Sequence, residues 1–363
     1  MDIQKHHINF AVGPVPIEEE VAAVGGDVIP YFRTADFSAL MQENEALILE
    51  AMHAPEKARA VFLTGSGTAA MEAAVVNLFT KDDRLLIVKG GSFGQRFCEI
   101  ASVWGIPYEA IALPNGKGLT QEELAPYENA GFTGFLVNMG ETSTGVLYDM
   151  PLIADFCRRN RLSLVVDAIS TFLADPVDMA AWGADAVLTG SQKALATAPG
   201  VSLVALSSRA VEHIYRGTPC CYYLDLKAAL VNAERGQTPF TPAVGTLIQI
   251  NKRLNLLKEK GFDAAIAQTK AHAGYFRRGI ARYPFTVATD SPQNGVTPLL
   301  MQSALSAHTL FEVLKEEYGI IVCPNGGALR DTMFRVGHIG YHTEAEYDKL
   351  FAAFDDLIAR GIL

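Results

Sequence analysis

The sequence predicts an α/β protein with a mostly parallel seven-stranded sheet and a smaller C-terminal α+β domain. Three observations carry this. Seven short apolar runs recur in the first two thirds of the chain, helical periodicity fills most gaps between them, and the pattern changes after about residue 250.

The runs are Arg59–Leu63, Arg84–Lys89, Tyr108–Leu113, Thr133–Asn138, Leu162–Val166, Asp185–Thr189 and Val201–Leu206. Each is bounded by polar, Gly or Pro residues and is apolar nearly throughout, as expected of strands covered on both faces. Between them, stretches such as Thr68–Phe79 and Pro151–Asn160 have helical spacing, which implies crossover connections and a largely parallel sheet. A long helical stretch is expected over Asn251–Tyr283, followed by short strands and helices ending with Glu344–Arg360. No repeat or Pro/Ser-rich linker intervenes. Two domains sharing an interface are therefore expected, a large one over 16–250 and a small one over 251–363 that includes the N-terminal segment 1–15.

Composition narrows the function. At 363 residues and 49% hydrophobic the chain can bury a sizeable core, while a net charge of -10 and a pI of about 5.3 argue against general affinity for nucleic acid or anionic membranes. The five cysteines, Cys98, Cys157, Cys220, Cys221 and Cys323, show no CxxC spacing, so neither a disulfide framework nor a zinc site is indicated. His6 and His7 have no third ligand at a helpful spacing, and no metal is expected. The N-terminal MDIQKHHINF lacks the features of a signal peptide, and no apolar run is long enough to span a bilayer, so a cytoplasmic protein is expected.

In an open α/β sheet, ligands gather beyond the carboxyl ends of the strands, so polar residues just after each strand matter most. Thr64-Gly65-Ser66-Gly67-Thr68 follows the first run and opens a helix. Its glycines and free N–H groups suit an anion such as a phosphate, although alone the segment reads equally as a helix cap. Asp167 follows Leu164-Val165-Val166, where a buried carboxylate needs a partner. An N-cap or a structural ion pair is the plain alternative. Lys193, in Gly190-Ser191-Gln192-Lys193, lies one crossover later, where an amine kept from water has the depressed pKa that suits Schiff-base chemistry. A solvated surface lysine is the ordinary alternative. Together the three sites suit a phosphate-bearing aromatic aldehyde held at Ser66, Gly67 and Thr68, bonded to Lys193 and protonated at its ring nitrogen opposite Asp167.

At this point the chain resembles the class V aminotransferases, a family of fold-type I enzymes dependent on pyridoxal 5'-phosphate (PLP), over nearly its whole length. TGSGTAAMEA (64–73), GETSTGVLYD (140–149), VVDAIST (165–171), TGSQKAL (189–195) and FRVGHIG (334–340) carry the resemblance. It implies Lys193 and Asp167 as catalytic residues. It also implies that Phe93 stacks on the cofactor ring, Thr142 hydrogen-bonds it, Ile169 packs on its other face and Gln192 helps bind the phosphate. Thr241, in PFTPAVGTL, resembles a threonine that reaches the neighbouring subunit's phosphate, which implies a homodimer. Arg335 resembles the arginine that clamps the substrate carboxylate, and Gly13 a residue lining the substrate site.

The activity implied is transfer of an amino group from a small donor to pyruvate or glyoxylate. FTP and FRVGHIG look closer to 2-aminoethylphosphonate:pyruvate enzymes, whereas Tyr31 to Phe37 look closer to the alanine or serine:glyoxylate group; 2-aminoethylphosphonate is the donor preferred, with alanine or serine:glyoxylate transfer as the alternative. Arg33 is a candidate second anion contact or a surface ion pair. A lyase of the cysteine desulfurase type needs a mobile cysteine, for which the vicinal Cys220 and Cys221 are the only candidates. A noncatalytic protein of the same fold is disfavoured by the presence of Asp167, Lys193 and Arg335.

Overall fold

A computed structural model describes residues 7–363. The expectation for His6 lies outside that range. All seven apolar runs form strands of one sheet: β1 (Arg59–Thr64), β2 (Leu85–Lys89), β3 (Tyr108–Ala112), β4 (Gly134–Asn138), β5 (Ser163–Asp167), β6 (Ala186–Gly190) and β7 (Val201–Leu206). Their order across the sheet is β1-β7-β6-β5-β4-β2-β3. Only β7 runs against its neighbours, pairing antiparallel with both β1 and β6. The remaining pairs are parallel.

Alternation along the strands explains why the runs are apolar throughout. Phe135 and Val137 of β4 and Leu164 and Val166 of β5 enter one core, while Leu136 and Val165 enter another on the opposite face. Helix α1 (Gly67–Leu78) and helix α2 (Ser92–Trp104) cover the second face with Ala70, Ala74, Phe97 and Ala101. Burying apolar area on both faces stabilises the sheet by roughly 25 cal/mol per Å², so polar chemistry is displaced to the strand ends.

The helical stretch expected over Asn251–Tyr283 differs from the observed one. Helix α3 spans Val244–Lys260 and helix α4 spans Phe262–Ile280, with Gly261 between them at φ 88° and ψ 132°. That backbone conformation, which residues with a side chain rarely adopt, ends one helix and starts the next. Leu247, Ile250, Leu254 and Leu257 of α3 pack into the first-face core, whereas Phe276 and Ile280 of α4 enter a third core.

That third core surrounds a four-stranded antiparallel sheet of β8 (Phe285–Val287), β9 (Val296–Met301), β10 (Cys323–Pro324) and β11 (Met333–Gly337), in the order β8-β9-β11-β10. The N-terminal residues join it. Ile8–Asn9 pairs in parallel with Ile320–Ile321, and Phe10 is fully buried among Phe334, Tyr347 and Leu350. The C-terminal helix Glu344–Ala359 starts with a capping box between Thr343 and Glu346. Among the described residues no helix is long and apolar enough to cross a membrane, and no group of three or more His, Cys, Asp or Glu could hold a metal ion.

Candidate active site

At the carboxyl edge of the large sheet, Ser66, Gly67, Thr68, Phe93, Arg96, Thr142, Asp167, Ile169, Ser170, Gln192 and Lys193 line one cavity of about 210 Å³. One end of its lining, Ser66 to Thr68, is the start of α1. Ser66 is the N-cap residue, yet its hydroxyl makes no bond to the helix it precedes, so the donor remains available to a ligand. A Cβ at Gly67 would lie 2.4 Å from Ile169 Cδ1, so any side chain there would push Ile169 aside. The helix start and its N–H groups thereby close directly onto Ile169. The Gln192 amide oxygen is buried without a protein partner.

Asp167 is the last residue of β5, and its Cα pairs with Asn138 on β4 and Leu188 on β6. One carboxylate oxygen accepts from Ile169 N at 2.8 Å and the other from Asn138 Nδ2 at 2.5 Å. Burial pushes the carboxyl up to about 6, against the pull of these two donors and of Lys193. The N-cap and ion-pair alternatives are not what the structure shows, because neither partner is a helix N-terminus or a cation.

Lys193 is held by a loop that folds on itself after β6. Ala196 N donates to Lys193 O at 2.8 Å, Thr197 N to Ser191 O at 3.1 Å and Ser191 Oγ to Ala198 O at 2.7 Å. The amine donates to Val12 O at 2.5 Å, and the neighbouring Gly13 lies against its chain. Burial lowers the Lys193 pKa to about 8. Cys323 and Asp167 act to raise it, and Arg335 and Arg96 to lower it further. A neutral amine is therefore accessible near physiological pH.

Phe93 sits in the first turn of α2, and its position is set by Glu141. This buried carboxylate accepts from Phe93 N at 3.2 Å, Gly94 N at 2.9 Å and Ser143 N at 3.1 Å. A second, more open cavity of about 580 Å³ shares Phe93 and is lined by Lys89, Ser92, Gln95, Asn115, Asn325 and Arg335 among others. Arg335 is buried on β11. It donates to the carbonyls of Thr142 at 3.0 Å and Pro324 at 2.8 Å, and its Nε has no partner. The alternative of a buried ion pair fails, since no carboxylate faces it, and a guanidinium with a free N–H suits an incoming anion.

Thr241 is exposed and does not line this cavity; two residues on, Ala243 N donates to Thr64 Oγ1 at the end of β1. Arg33 is also outside. It donates to Gln237 Oε1 and Thr238 O and covers the Phe32 ring, so it ties the segment before Thr241 to the N-terminal region. Cys220 lines a different cavity, with Trp104 and His213. Sequence reasoning missed Asn138, Glu141, Arg96, Ser170 and Cys323. Of these, Asn138 and Glu141 had a legible signal, as polar residues at the carboxyl end of an apolar strand.

A lysine and a buried carboxylate on one cavity, at the carboxyl edge of a sheet covered on both faces, define an enzyme of the fold-type I class. Family comparison agrees: the chain belongs to the aminotransferase class-V family, whose model matches residues 30–336. It is 27% identical to the small subunit of a soluble hydrogenase from Synechococcus sp., covering 96% of this chain and 91% of that protein. The alanine–glyoxylate aminotransferase of Oryctolagus cuniculus is 25% identical, over 97% of this chain and 93% of that protein. Among solved structures, an aspartate aminotransferase of subgroup IV from Thermus thermophilus superposes with a TM-score of 0.89 at 27% identity, covering 98% and 100% of the two chains. The chain is an aminotransferase.

Proposed function

We propose that this aminotransferase works with PLP and moves an amino group from a small donor to glyoxylate or pyruvate. The observation that carries the reading is the joint placement of the Lys193 amine, the Asp167 carboxylate and the uncapped Ser66 hydroxyl on one cavity. The residues fit the cofactor. Ser66, Gly67, Thr68 and Gln192 would hold its phosphate, Phe93 and Ile169 its ring faces, Thr142 and Asp167 its polar edge, and Lys193 its aldehyde carbon. Bound there, PLP supplies an electron sink for the carbon that loses its proton.

The chain's own residues do the rest. Lys193 Nζ, depressed to about 8, takes a proton from the reacting carbon and returns it. Asp167, ionised above about pH 6, holds a proton on the base facing it. Arg335 orients an anionic substrate group through its free N–H, and Phe93 and Ile169 keep water from the reacting face.

Glyoxylate as acceptor, with alanine as donor, is the reading that the relatives' names favour. A 2-aminoethylphosphonate donor is the second reading. It is supported by FRVGHIG and by Lys89 on the same cavity as Arg335, since two cations suit a doubly charged phosphonate. The same proposal includes a cytoplasmic homodimer in which Thr241 serves the partner's phosphate. Tyr222 (84% exposed) and Tyr223 lie against Phe240 beside that segment, an exposed apolar surface for a second copy to cover. It also divides the chain into a cofactor-carrying domain over 16–250 and a closing domain over 251–363 with 1–15, supported by the pairing of Ile8–Asn9 with Ile320–Ile321.

The test is an absorbance titration of PLP-loaded protein with 2-aminoethylphosphonate, alanine, serine and aspartate in turn, beside Lys193→Ala. Conversion of the band by one donor, absent in the variant, names that donor. No band after adding PLP would sink the reading.

A further inference from the structure

The donors expected around the cofactor phosphate, Ser66, Gly67, Thr68 and Gln192, are all uncharged, yet the group they would hold is an anion. Two cations line that cavity, Lys193 and Arg96. Lys193 is engaged by the Val12 carbonyl and is the expected attachment point of the aldehyde. Arg96, in the second turn of α2, donates from Nη1 to Thr68 Oγ1 at 3.1 Å, and its guanidinium carbon lies 4.8 Å from the Phe93 ring centroid. Neither of these partners is a carboxylate, so its charge is not neutralised by them. That charge also reaches into the site, where it acts on Lys193.

A hydroxyl that accepts from a guanidinium has its proton free to donate elsewhere and is polarised toward doing so. Thr68 is the second residue of α1, beside the helix N-terminal N–H groups. We propose that Arg96 is the charged anchor of the cofactor phosphate. It directs the Thr68 hydroxyl at the phosphate and supplies the positive charge that the neutral cradle lacks, while the Phe93 ring keeps its guanidinium in place. This rests on the reading that the cavity takes PLP.

The experiment compares PLP with pyridoxal, which has the same aldehyde and ring but no phosphate, as ligands of the cofactor-free protein. Dissociation constants are read from the absorption of the lysine-bound ligand for wild type, Arg96→Gln, Arg96→Lys, Thr68→Val and the double variant Arg96→Gln/Thr68→Val. Circular dichroism checks that each is folded. Expected are a loss of at least about tenfold for PLP in Arg96→Gln, the scale of one charged hydrogen bond, with pyridoxal nearly unchanged and Arg96→Lys in between. The double variant should lose less than the product of the two single losses. Equal losses for both ligands would show that Arg96 only props Phe93, and no loss for PLP would show that it does nothing for the phosphate. Either result overturns the inference. Failure of wild type to bind either aldehyde at Lys193 would instead overturn the cofactor reading beneath it.

Discussion

Asn138 Nδ2 and Asp167 Oδ2 lie 2.5 Å apart across two adjacent parallel strands, with their Cα atoms in register. The amide is one of two donors that let a fully buried carboxylate ionise at all. In Asn138→Ala only Ile169 N would remain, and the Asp167 carboxyl should rise from about 6 by about one unit or more. The sign matters for stability. A carboxyl raised from 3.8 to about 6 makes the folded state the better proton binder, so stability falls as pH rises between those values. The variant should carry that fall to higher pH. Carboxyl-carbon NMR titration of the cofactor-free protein checks this, and an unmoved midpoint would mean that the amide does not support the charge.

Lys193 has the opposite charge and the same problem. Its folded pKa of about 8 lies below the ordinary 10.5, so below pH 8 the cofactor-free fold holds a charge that burial penalises. The penalty is about 3 kcal/mol and is relieved as pH rises from 8 to 10.5. Lys193→Met should therefore stabilise the cofactor-free protein at pH 7 by about 2 kcal/mol, after allowing for the lost bond to Val12 O. Urea unfolding at pH 7 and above pH 10 measures the difference, which should reverse at the higher pH to about 1 kcal/mol in favour of wild type, where only the lost bond to Val12 O remains.

Glu141 pins the start of α2 through Phe93 N, Gly94 N and the Ser143 backbone and hydroxyl. Its replacement by alanine leaves the buried Gly94 N–H and the part-buried Phe93 and Ser143 N–H groups without this acceptor and should cost about 2–3 kcal/mol. Glu141→Gln, which keeps one acceptor oxygen, should cost less. Denaturant midpoints order the two, and equal costs would mean that a neutral acceptor oxygen is worth nothing here and the charge carries the whole effect.

Gly13 has φ 129°, and an added Cβ would lie 2.7 to 2.9 Å from Lys193 Cδ, Nζ and Cε. Gly13→Ala should displace the lysine and slow its reaction with PLP by about tenfold or more, because misplacement of about 1 Å is costly. Stopped-flow absorbance of cofactor binding reports the rate. A wild-type rate would show that the chain yields locally without cost.

Cys323 pairs with Arg335 in the small sheet and lies close enough to Lys193 to act on it, whereas Cys220 lines another cavity. If a lyase reaction took place here, Cys323 would be its nucleophile. Cys323→Ser should retain amino transfer, and wild type should release no sulfide from cysteine. Sulfide release that disappears in the variant would favour the lyase instead.

The sheet was legible because its strands are buried on both faces, which leaves an apolar run no room for polar interruptions. Asp167 and Lys193 were legible because a charge just beyond such a run has few structural uses. Two kinds of feature were not. Gly261 breaks a periodicity that continues on both sides of it, so the apolar pattern alone shows no gap. Arg96 is drawn to Thr68 by the meeting of two separate helices, and nothing within the GGSFGQRF segment distinguishes it from a solvated arginine. The resemblance to the family supplied the roles expected of Phe93, Thr241 and Arg335, whose residue types alone would equally suit packing, capping or ion pairing.

The alternation of β4 and β5 side chains between two cores also bears on how this fold tolerates mutation. Interior positions ask only for apolar volume and accept many exchanges that conserve it, whereas the turns at one rim must each present a particular atom. Drift can therefore rewrite most of the chain without moving the rim. Two members of such a lineage can keep a common backbone at a quarter of shared residues, and their differences in substrate should be sought in a few loop positions.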